Sequence, residues 1–316
     1  MINRRYLRIK VYQALYAYWQ SDSASAARIE KEMLGSIERT TDIFLALIQV
    51  IGELRHQAQL RIEDRLRKKL PTEADLNPSK RFVDHPLVKA IAENERIRVE
   101  CEKRKVSWVG HGEMFQKLLR EVEADEAFQN FLNDPEPTFR KDQTFLVRLF
   151  TEHVANHESL QDVFESRSIH WLEDLDLAAT MAKRAIEGMR EELVITLHLD
   201  DLERDMQEDH AFAKVLFRKS IEFGEEHEAA IAEKASNWES DRIALTDMIL
   251  MKMALAELRS FDQIPVKVTL NEYIEIAKAY STPKSKNFIN GVLDKLVIEM
   301  RADDRIRKVG RGLLES

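Results

Sequence analysis

The sequence is most informative at Met248-Ile249-Leu250-Met251-Lys252-Met253-Ala254-Leu255-Ala256, a run that contains one charged residue, Lys252. A helix over residues 240–260 is therefore apolar on nearly every side, and such a helix is buried against several partners. The run is too short and too closely flanked by charge to cross a bilayer. We expect the rest of the fold to be organised around this helix.

Two further helices are predicted after it. The segment Ile264-Pro265-Val266-Lys267-Val268 predicts an extended link, because a residue before proline is disfavoured in the helical region. Thr269 and Glu272 have the spacing of a capping box, which predicts that the next helix begins there. Thr282-Pro283 predicts the start of the last helix, with proline at its first position. Apolar residues from Ile289 to Met300 then follow the i, i+3, i+4, i+7 pattern of a buried helical face.

Composition favours an all-α protein. The chain has 316 residues, 44% of them hydrophobic and 33% charged, with 9 glycines and 7 prolines. This length suits one large or two moderate domains. A net charge of −8 argues against general nucleic-acid binding, so an RNA contact requires a local basic patch. No signal peptide is recognisable, and the single cysteine excludes an intramolecular disulfide, so we expect a cytoplasmic protein.

Residues 4–20 predict one helix with a basic and aromatic face. Successive residues are separated by 100°, which places four side chains together opposite the apolar face. No acidic residue occurs before Asp22. Guanidinium groups bind phosphates and aromatic rings stack on unpaired bases, a combination that suits single-stranded RNA. The alternative is an ordinary solvated basic surface. The four residues are Arg5, Arg8, Tyr12 and Tyr16, and Arg4 lies at the start of the helix.

The remaining segments also read as helices. Residues 24–34 and 36–69 predict two helices, and residues 209–236 predict another. Proline clusters at residues 71–78 and 135–137 mark breaks in the middle of the chain. Between and after these breaks, helical patterns cover residues 86–105, 112–133, 142–157 and 169–189.

Motifs for catalysis or metal binding are weak. His153 and His157 have an i, i+4 spacing, but Val154 stands where a metalloprotease motif requires glutamate. Glu53 and His56 form one Glu-x-x-His pair, whereas a di-iron bundle requires two. Cys101 has no setting that would activate a thiol. We therefore expect no enzymatic activity, no metal and no cofactor.

Several short motifs in the last third resemble the NusB family of transcription antitermination factors. Their order and spacing match the second half of that family, firmly over residues 206–300 and more loosely over residues 1–69. The motifs are Asp241-Arg242-Ile243-Ala244-Leu245, Leu255-Ala256-Glu257-Leu258, Ile264-Pro265-Val266-Lys267-Val268, Asn271-Glu272, Ile276-Ala277-Lys278 and Phe288-Ile289-Asn290-Gly291-Val292-Leu293-Asp294-Lys295.

The resemblance implies an all-α, NusB-like helical bundle of two packed halves with a helical segment inserted between them. Residues 1–69 and 206–300 would form the halves, residues 70–205 the insertion, and residues 301–316 a basic tail. The tail reads either as a flexible basic arm for RNA or as a disordered end. NusB-like proteins occur as monomers and as homodimers, and the residues do not distinguish these states.

The resemblance also implies a function and a set of binding residues. NusB-like proteins bind a single-stranded boxA element in nascent ribosomal RNA, together with the ribosomal protein NusE and with RNA polymerase, NusA and NusG. Two elements match the RNA-binding positions of the family, and a helix N-terminus such as the second also favours anions. The matching residues are Arg4, Arg5, Arg8, Gln13 and Tyr16 in the first helix and Lys284, Ser285, Lys286 and Phe288 at the start of the last.

Two other functions are compatible with the sequence. The acidic, expanded middle would suit a helical protein-binding scaffold without RNA affinity. NusB-like bundles also accompany ribosomal RNA methyltransferases, but those enzymes require a Rossmann-type domain with a glycine-rich loop and catalytic cysteines. This chain has one cysteine and no strand–helix alternation.

Overall fold

A computed structural model of the chain describes residues 4–21, 25–167, 169–191, 202–235 and 243–314. Every regular element in these ranges is helical, which confirms the predicted all-α class. None of the described helices is both long enough and apolar enough to span a membrane. The first eight helices are α1 (Arg4–Gln20), α2 (Ala26–Leu66), α3 (Glu73–Leu76), α4 (Arg81–Asp84), α5 (Pro86–Ala92), α6 (Glu95–Arg104), α7 (Gly112–Ala124) and α8 (Glu126–Asn133).

The remaining elements complete the helical order. A π-helical turn, Phe150–Val154, follows α9, and a short 3₁₀ turn, Gly310–Leu313, lies near the C-terminus. The other helices are α9 (Phe139–Leu149), α10 (Glu158–Arg167), α11 (Ile169–Glu187), α12 (Leu202–Glu222), α13 (Gly224–Ala235), α14 (Leu245–Ser260), α15 (Val266–Tyr280) and α16 (Ser285–Ala302).

The chain divides into two compact units. The first contains Met1–Ile37 and Asp201–Ser316, and the second contains Glu38–Asp200. These limits differ from the predicted segments, because residues 38–69 were expected with the N-terminal helices. The break expected between the predicted helices 24–34 and 36–69 is absent, since Gly35 and Ser36 both lie inside α2. A single glycine costs a helix only about 1 kcal/mol, so neighbouring turns readily carry the helix across it.

The first unit is built around α14. This helix contacts α1, α12, α13, α15 and α16, and every side chain from Ile249 to Leu258 is buried. The one charge in the central run, Lys252, donates to a Glu228 carboxylate oxygen at 2.5 Å and lies over the Trp19 ring. The prediction of a helix buried on all sides is therefore confirmed, but its expected start near residue 240 is wrong, since Ile243 and Ala244 are not helical and α14 begins at Leu245.

Two predicted helix starts in this unit are wrong. α15 begins at Val266 rather than at Thr269, so the extended link ends at Pro265. Thr269 does not cap, because it lies inside α15 and its buried hydroxyl donates to Glu257 at 2.9 Å. α16 begins at Ser285, two residues after the proline that was expected to start it.

The second unit contains the later part of α2 and the helices α3–α11. Trp108 donates from its indole nitrogen to the Ala46 carbonyl at 2.9 Å, and Arg55 donates to the Val83 carbonyl at 2.8 Å. These bonds hold residues 38–66 of α2 within this unit. Asn94 and Asp125 each cap a new helix through a side-chain oxygen. For that reason the predicted helices 86–105 and 112–133 are each divided into two. Helix α10 was not predicted.

Residues 303–314, which we call the strap, pack against the end of α14 instead of forming a flexible tail. The Lys308 ammonium donates to the carbonyl oxygens of Leu258 at 3.0 Å and Phe261 at 2.7 Å. The Val309 amide donates to the Asp262 carbonyl at 3.1 Å. Gly312 lies so close to this loop that an added Cβ would be 1.9 Å from the Asp262 carbonyl oxygen. The strap is thus fixed by bonds that the sequence did not predict.

Candidate nucleic-acid interface

The predicted basic face of α1 is only partly accessible. The helix contacts α12 on one side and α14 and α15 on another, so a narrow stripe of it faces solvent. Arg8 is 2% exposed and Tyr12 is 5% exposed. Both were predicted to contact RNA, and the structure corrects this prediction because neither side chain reaches the surface.

Arg8 instead completes a buried ion pair. Its Nε and Nη2 atoms donate to the two carboxylate oxygens of Glu257, at 2.8 and 2.7 Å. Thr269 and Tyr273 donate hydroxyls to the same carboxylate, at 2.9 and 3.0 Å. Four donors therefore satisfy a fully buried charge, as buried charges require. The sequence did not reveal Glu257 as the buried partner of Arg8. The only indication was a glutamate at the end of an apolar run.

The pKa shifts reflect this arrangement. Burial opposes the charge on Arg8, but the hydrogen bonds and charge of Glu257 outweigh it and hold the Arg8 pKa above its usual value. Burial, with the nearby Glu257 charge, raises the pKa of Tyr273 well above its ordinary value. Arg8 is therefore held charged and Tyr273 neutral, and this buried cluster joins α1, α14 and α15.

Other predicted residues of α1 remain accessible. Arg4 is exposed, and its guanidinium lies 5.3 Å from the Phe212 ring centroid. The Arg5 side chain is 43% exposed and forms a bidentate pair with Glu272, at 2.9 and 2.8 Å. Gln13 is half-buried and Tyr16 is 41% exposed. By helical periodicity Arg5, Gln13 and Tyr16 lie on one side of α1, whereas Arg4, at its first position, faces Phe212 of α12.

At the start of α16, some of the predicted RNA-binding residues are exposed and one is buried. Lys284 and Lys286 are exposed, and Phe288 is half-buried. Ser285 is 3% exposed, and its hydroxyl bonds with those of Ser281 and Thr282 at 3.0 and 2.8 Å. The prediction that Ser285 contacts RNA is thus corrected, because its hydroxyl is enclosed by the turn that starts the helix.

Helix α15 brings these two elements together. It lies beside α1, since Glu272 binds Arg5 and the Tyr280 ring lies 5.6 Å from the Tyr12 ring. Glu275, between them on α15, has a lowered pKa, first because of its bond to Lys278 and also because of the charges of Arg5 and Lys286. Cations from the starts of α1 and α16 are therefore close enough to influence one carboxylate.

We call the resulting surface the exposed strip. It combines cations with accessible aromatic rings, including Tyr280, which is 40% exposed and was not predicted. Cations of this kind position a nucleic-acid backbone, and exposed rings can stack on bases. The strip consists of Arg4, Arg5, Gln13, Tyr16, Tyr280, Lys284, Lys286 and Phe288.

The second unit contains the histidines and the cysteine weighed from the sequence. His153 lies 2.7 Å from an Asp125 carboxylate oxygen, and His157 lies 3.0 Å from that of Glu121. Each histidine thus has its own carboxylate partner, and the two do not share one site. Cys101 is buried, and burial raises the pKa of its thiol to about 12. A thiol with that pKa is a poor nucleophile near neutral pH.

Comparison with known proteins places this geometry in a wider context. The model of the NusB family matches residues 172–297. The chain is 46% identical over 103 residues to the transcription antitermination protein NusB of Salinibacter ruber, covering 33% of this chain and 64% of the relative. It is 48% identical over 85 residues to NusB of Chloroherpeton thalassium, covering 27% of this chain and 40% of the relative.

A third comparison covers more of the relative. Over 103 residues the chain is 36% identical to NusB of Lachnoclostridium phytofermentans, covering 33% of this chain and 78% of that protein. The matches to the first two relatives each span less than two thirds of their length. No solved structure matches the chain.

Proposed function

The chain belongs to the NusB family, and from this membership we propose that it is a transcription antitermination factor that binds single-stranded RNA through the exposed strip. The observation that carries the proposal is the strip itself. Exposed arginines of α1 and lysines at the start of α16 support it, since both helices contact α15, which carries the exposed Tyr280, in a chain whose net charge is −8.

The chemistry of the strip supports RNA rather than a general anion. Lys284 and Lys286 offer charge to phosphates, which fixes the position of a strand without reading its sequence. Tyr16 and Tyr280 offer ring faces to bases, and such stacking requires bases that are not already paired. Because counterions are released when phosphates are neutralised, affinity is expected to decrease steeply with salt.

The finer assignments follow the family resemblance. We propose that the RNA is a boxA-like element of a nascent ribosomal transcript, and that the protein acts with the ribosomal protein NusE, RNA polymerase, NusA and NusG in the cytoplasm. In this role the protein holds RNA and partners and catalyses no reaction. We also propose that the middle of the chain is an insertion into a NusB-like protein, with residues 70–205 as its limits.

The proposal is tested by measuring equilibrium binding of a fluorescent boxA-like RNA, with a scrambled RNA as the specificity control. A triple variant, Arg4→Glu with Lys284→Glu and Lys286→Glu, should weaken binding by at least about tenfold at low salt, because three cations become anions. Arg120→Glu, an exposed arginine of the second unit, is the matched control and should bind normally. Equal affinities for the triple variant and the wild type would exclude the strip as the site.

A further inference from the structure

Three cations, Lys267, Lys308 and Arg311, lie at the loop between α14 and α15, beyond Arg4 at the end of the exposed strip. Arg4 lies over the Phe212 ring, which is 4.8 Å from the Phe261 ring, and the Phe261 carbonyl accepts the bond from Lys308 of the strap. These contacts connect the start of α1 to the strap through neighbouring side chains. Lys267 and Arg311 are both exposed next to the same loop.

The electrostatics of this region favour an anion. Within the described residues, neither Lys267 nor Arg311 forms an ion pair or a side-chain hydrogen bond. Asp262 is the one carboxylate among residues 261–267. The first turn of α15 has no side-chain cap, so its amide groups add positive potential at the same place. Over residues 261–267 and 308–312 there are thus three cationic side chains, Lys267, Lys308 and Arg311, and one carboxylate.

The backbone of the strap fixes the position of Arg311. Gly310 has a φ of +51°, which favours glycine, and Gly312 has no room for a side chain beside the Asp262 carbonyl. The docked conformation therefore requires glycine on both sides of Arg311, and the Val309–Asp262 and Lys308 bonds hold it in place. A cation that is already held in place loses less conformational entropy on binding than one on a flexible tail.

We propose that the strap extends the RNA-binding surface, with Arg311 and Lys267 contacting phosphates that continue past Arg4. This inference rests on the proposed function and deepens it, because it assigns a further binding surface to residues outside the exposed strip. The ligand is the backbone of single-stranded RNA. The contacts carry no base specificity, since phosphate contacts position a strand and do not read it.

The test uses the full chain and a boxA-like RNA long enough to extend beyond the strip at both ends. A double variant, Arg311→Ala with Lys267→Ala, should bind about five- to tenfold more weakly, for specific and scrambled RNA alike. The slope of log affinity against log salt should decrease by about 1.4, because each phosphate contact to a single strand contributes about 0.7. Arg28→Ala, whose side chain is 78% exposed on α2 of the same unit, is the matched control.

A second variant tests whether the docked position of the strap matters for RNA affinity when its charges are unchanged. Gly312→Ala keeps every cation but cannot keep the strap against the Asp262 carbonyl. It should reproduce the part of the affinity loss that Arg311→Ala alone causes, while far-ultraviolet circular dichroism remains unchanged. In the wild type, RNA should slow hydrogen exchange of the Val309 amide. Should Gly312→Ala fail to fold, Arg311→Ala still shows whether the strap contributes to RNA affinity, because the Arg311 side chain is exposed and its removal should not disturb folding.

The outcomes distinguish this inference from the proposed function. If the double variant binds like the wild type while Lys286→Glu binds weakly, the strap is not part of the surface and the proposed function stands. If the wild type binds neither RNA, both proposals are wrong. Loss of affinity in the double variant and in Gly312→Ala, with normal binding by Arg28→Ala, supports the strap.

Discussion

At the scale of single residues, burial decides which arginines of α1 are available to RNA. Arg8 and Arg5 are three positions apart, yet Arg8 is 2% exposed and the Arg5 side chain is 43% exposed. Both bind carboxylates bidentately, Arg8 to Glu257 and Arg5 to Glu272. A buried pair and a partly exposed pair of the same geometry are expected to differ greatly in their contribution to stability.

Replacing Arg8 with methionine should therefore destabilise the protein by about 3–5 kcal/mol, because Glu257 would remain buried without its charged partner. Arg5→Met, which opens a partly exposed pair and leaves Glu272 3.6 Å from Arg8, should cost less than about 1 kcal/mol. Urea unfolding monitored by circular dichroism measures both. Similar small losses for the two variants, combined with a loss of RNA affinity only in Arg8→Met, would mean that Arg8 is a binding residue after all.

His227 gives a pH dependence at the same scale. It is 2% exposed, and burial lowers its pKa to about 4 against an ordinary value of 6.5, with the charge of Arg259 acting in the same direction and that of Glu226 opposing it. The unfolded chain therefore binds a proton between these pH values and the folded chain does not. Stability is complete above about pH 6.5 and decreases as the pH approaches 4.

The expected loss from His227 is on the order of 3 kcal/mol over that window, since one pKa unit corresponds to about 1.4 kcal/mol. Unfolding free energies at pH 7 and pH 4.5, compared between wild type and His227→Gln, isolate this contribution from the titration of carboxylates. The variant should lose less stability on acidification than the wild type. Parallel pH profiles for the two proteins would contradict the assignment.

These residue-scale partners could not be predicted from the sequence. Glu257 and Arg8 are separated by 249 positions, and each on its own resembles an ordinary surface charge of a helix. The sequence correctly placed Arg4, Arg5, Tyr16, Lys284 and Lys286 at accessible positions, because they lie at the starts or on the outward sides of their helices. It could not show that α1 is covered on two sides, which removes Arg8 and Tyr12 from the surface.

At the scale of elements, the close approach of α2 to α5 offers a test of packing in the second unit. A Cβ added at Gly52 would lie 3.5 Å from the Ala92 Cα and 3.6 Å from the Ala92 Cβ, which is ordinary contact. Gly52→Ala should therefore stabilise the protein by up to about 1 kcal/mol through helix propensity.

Gly52→Val is the matched control, because its extra methyl groups have to displace α5. It should cost about 1–3 kcal/mol. Thermal unfolding of both variants checks the pair. A destabilised Gly52→Ala would show that the two helices are closer than this geometry allows, and a neutral Gly52→Val would show that they are further apart.

Elements were predictable where local chemistry dominates. α14 has almost no polar surface, so its burial followed from composition alone. Helix starts were less predictable, because a tertiary contact can recruit a capping residue for another purpose, as Glu257 does with Thr269. Asn94 and Asp125 ended the predicted helices early, since a short polar side chain in an apolar pattern can cap a new helix and its spacing alone does not reveal this.

At the scale of the whole molecule, the proposed RNA-binding residues all belong to one of the two units. The exposed strip and the strap belong to the first unit, and the second unit contributes no residue to either. The family resemblance was recognisable from the sequence because its motifs are close together along the chain. The limits of the second unit were not, because α2 continues through Ile37 and Glu38 without any break in its pattern.

The central claim is that RNA lies along the strip formed by α1, the end of α15 and the start of α16. Ultraviolet crosslinking of the full chain to a boxA-like RNA, followed by mass spectrometry of the crosslinked peptides, tests it most directly. We predict crosslinks at Tyr16, Tyr280 and Phe288, the aromatic residues of the strip. Crosslinks confined to residues 38–200 would contradict the account.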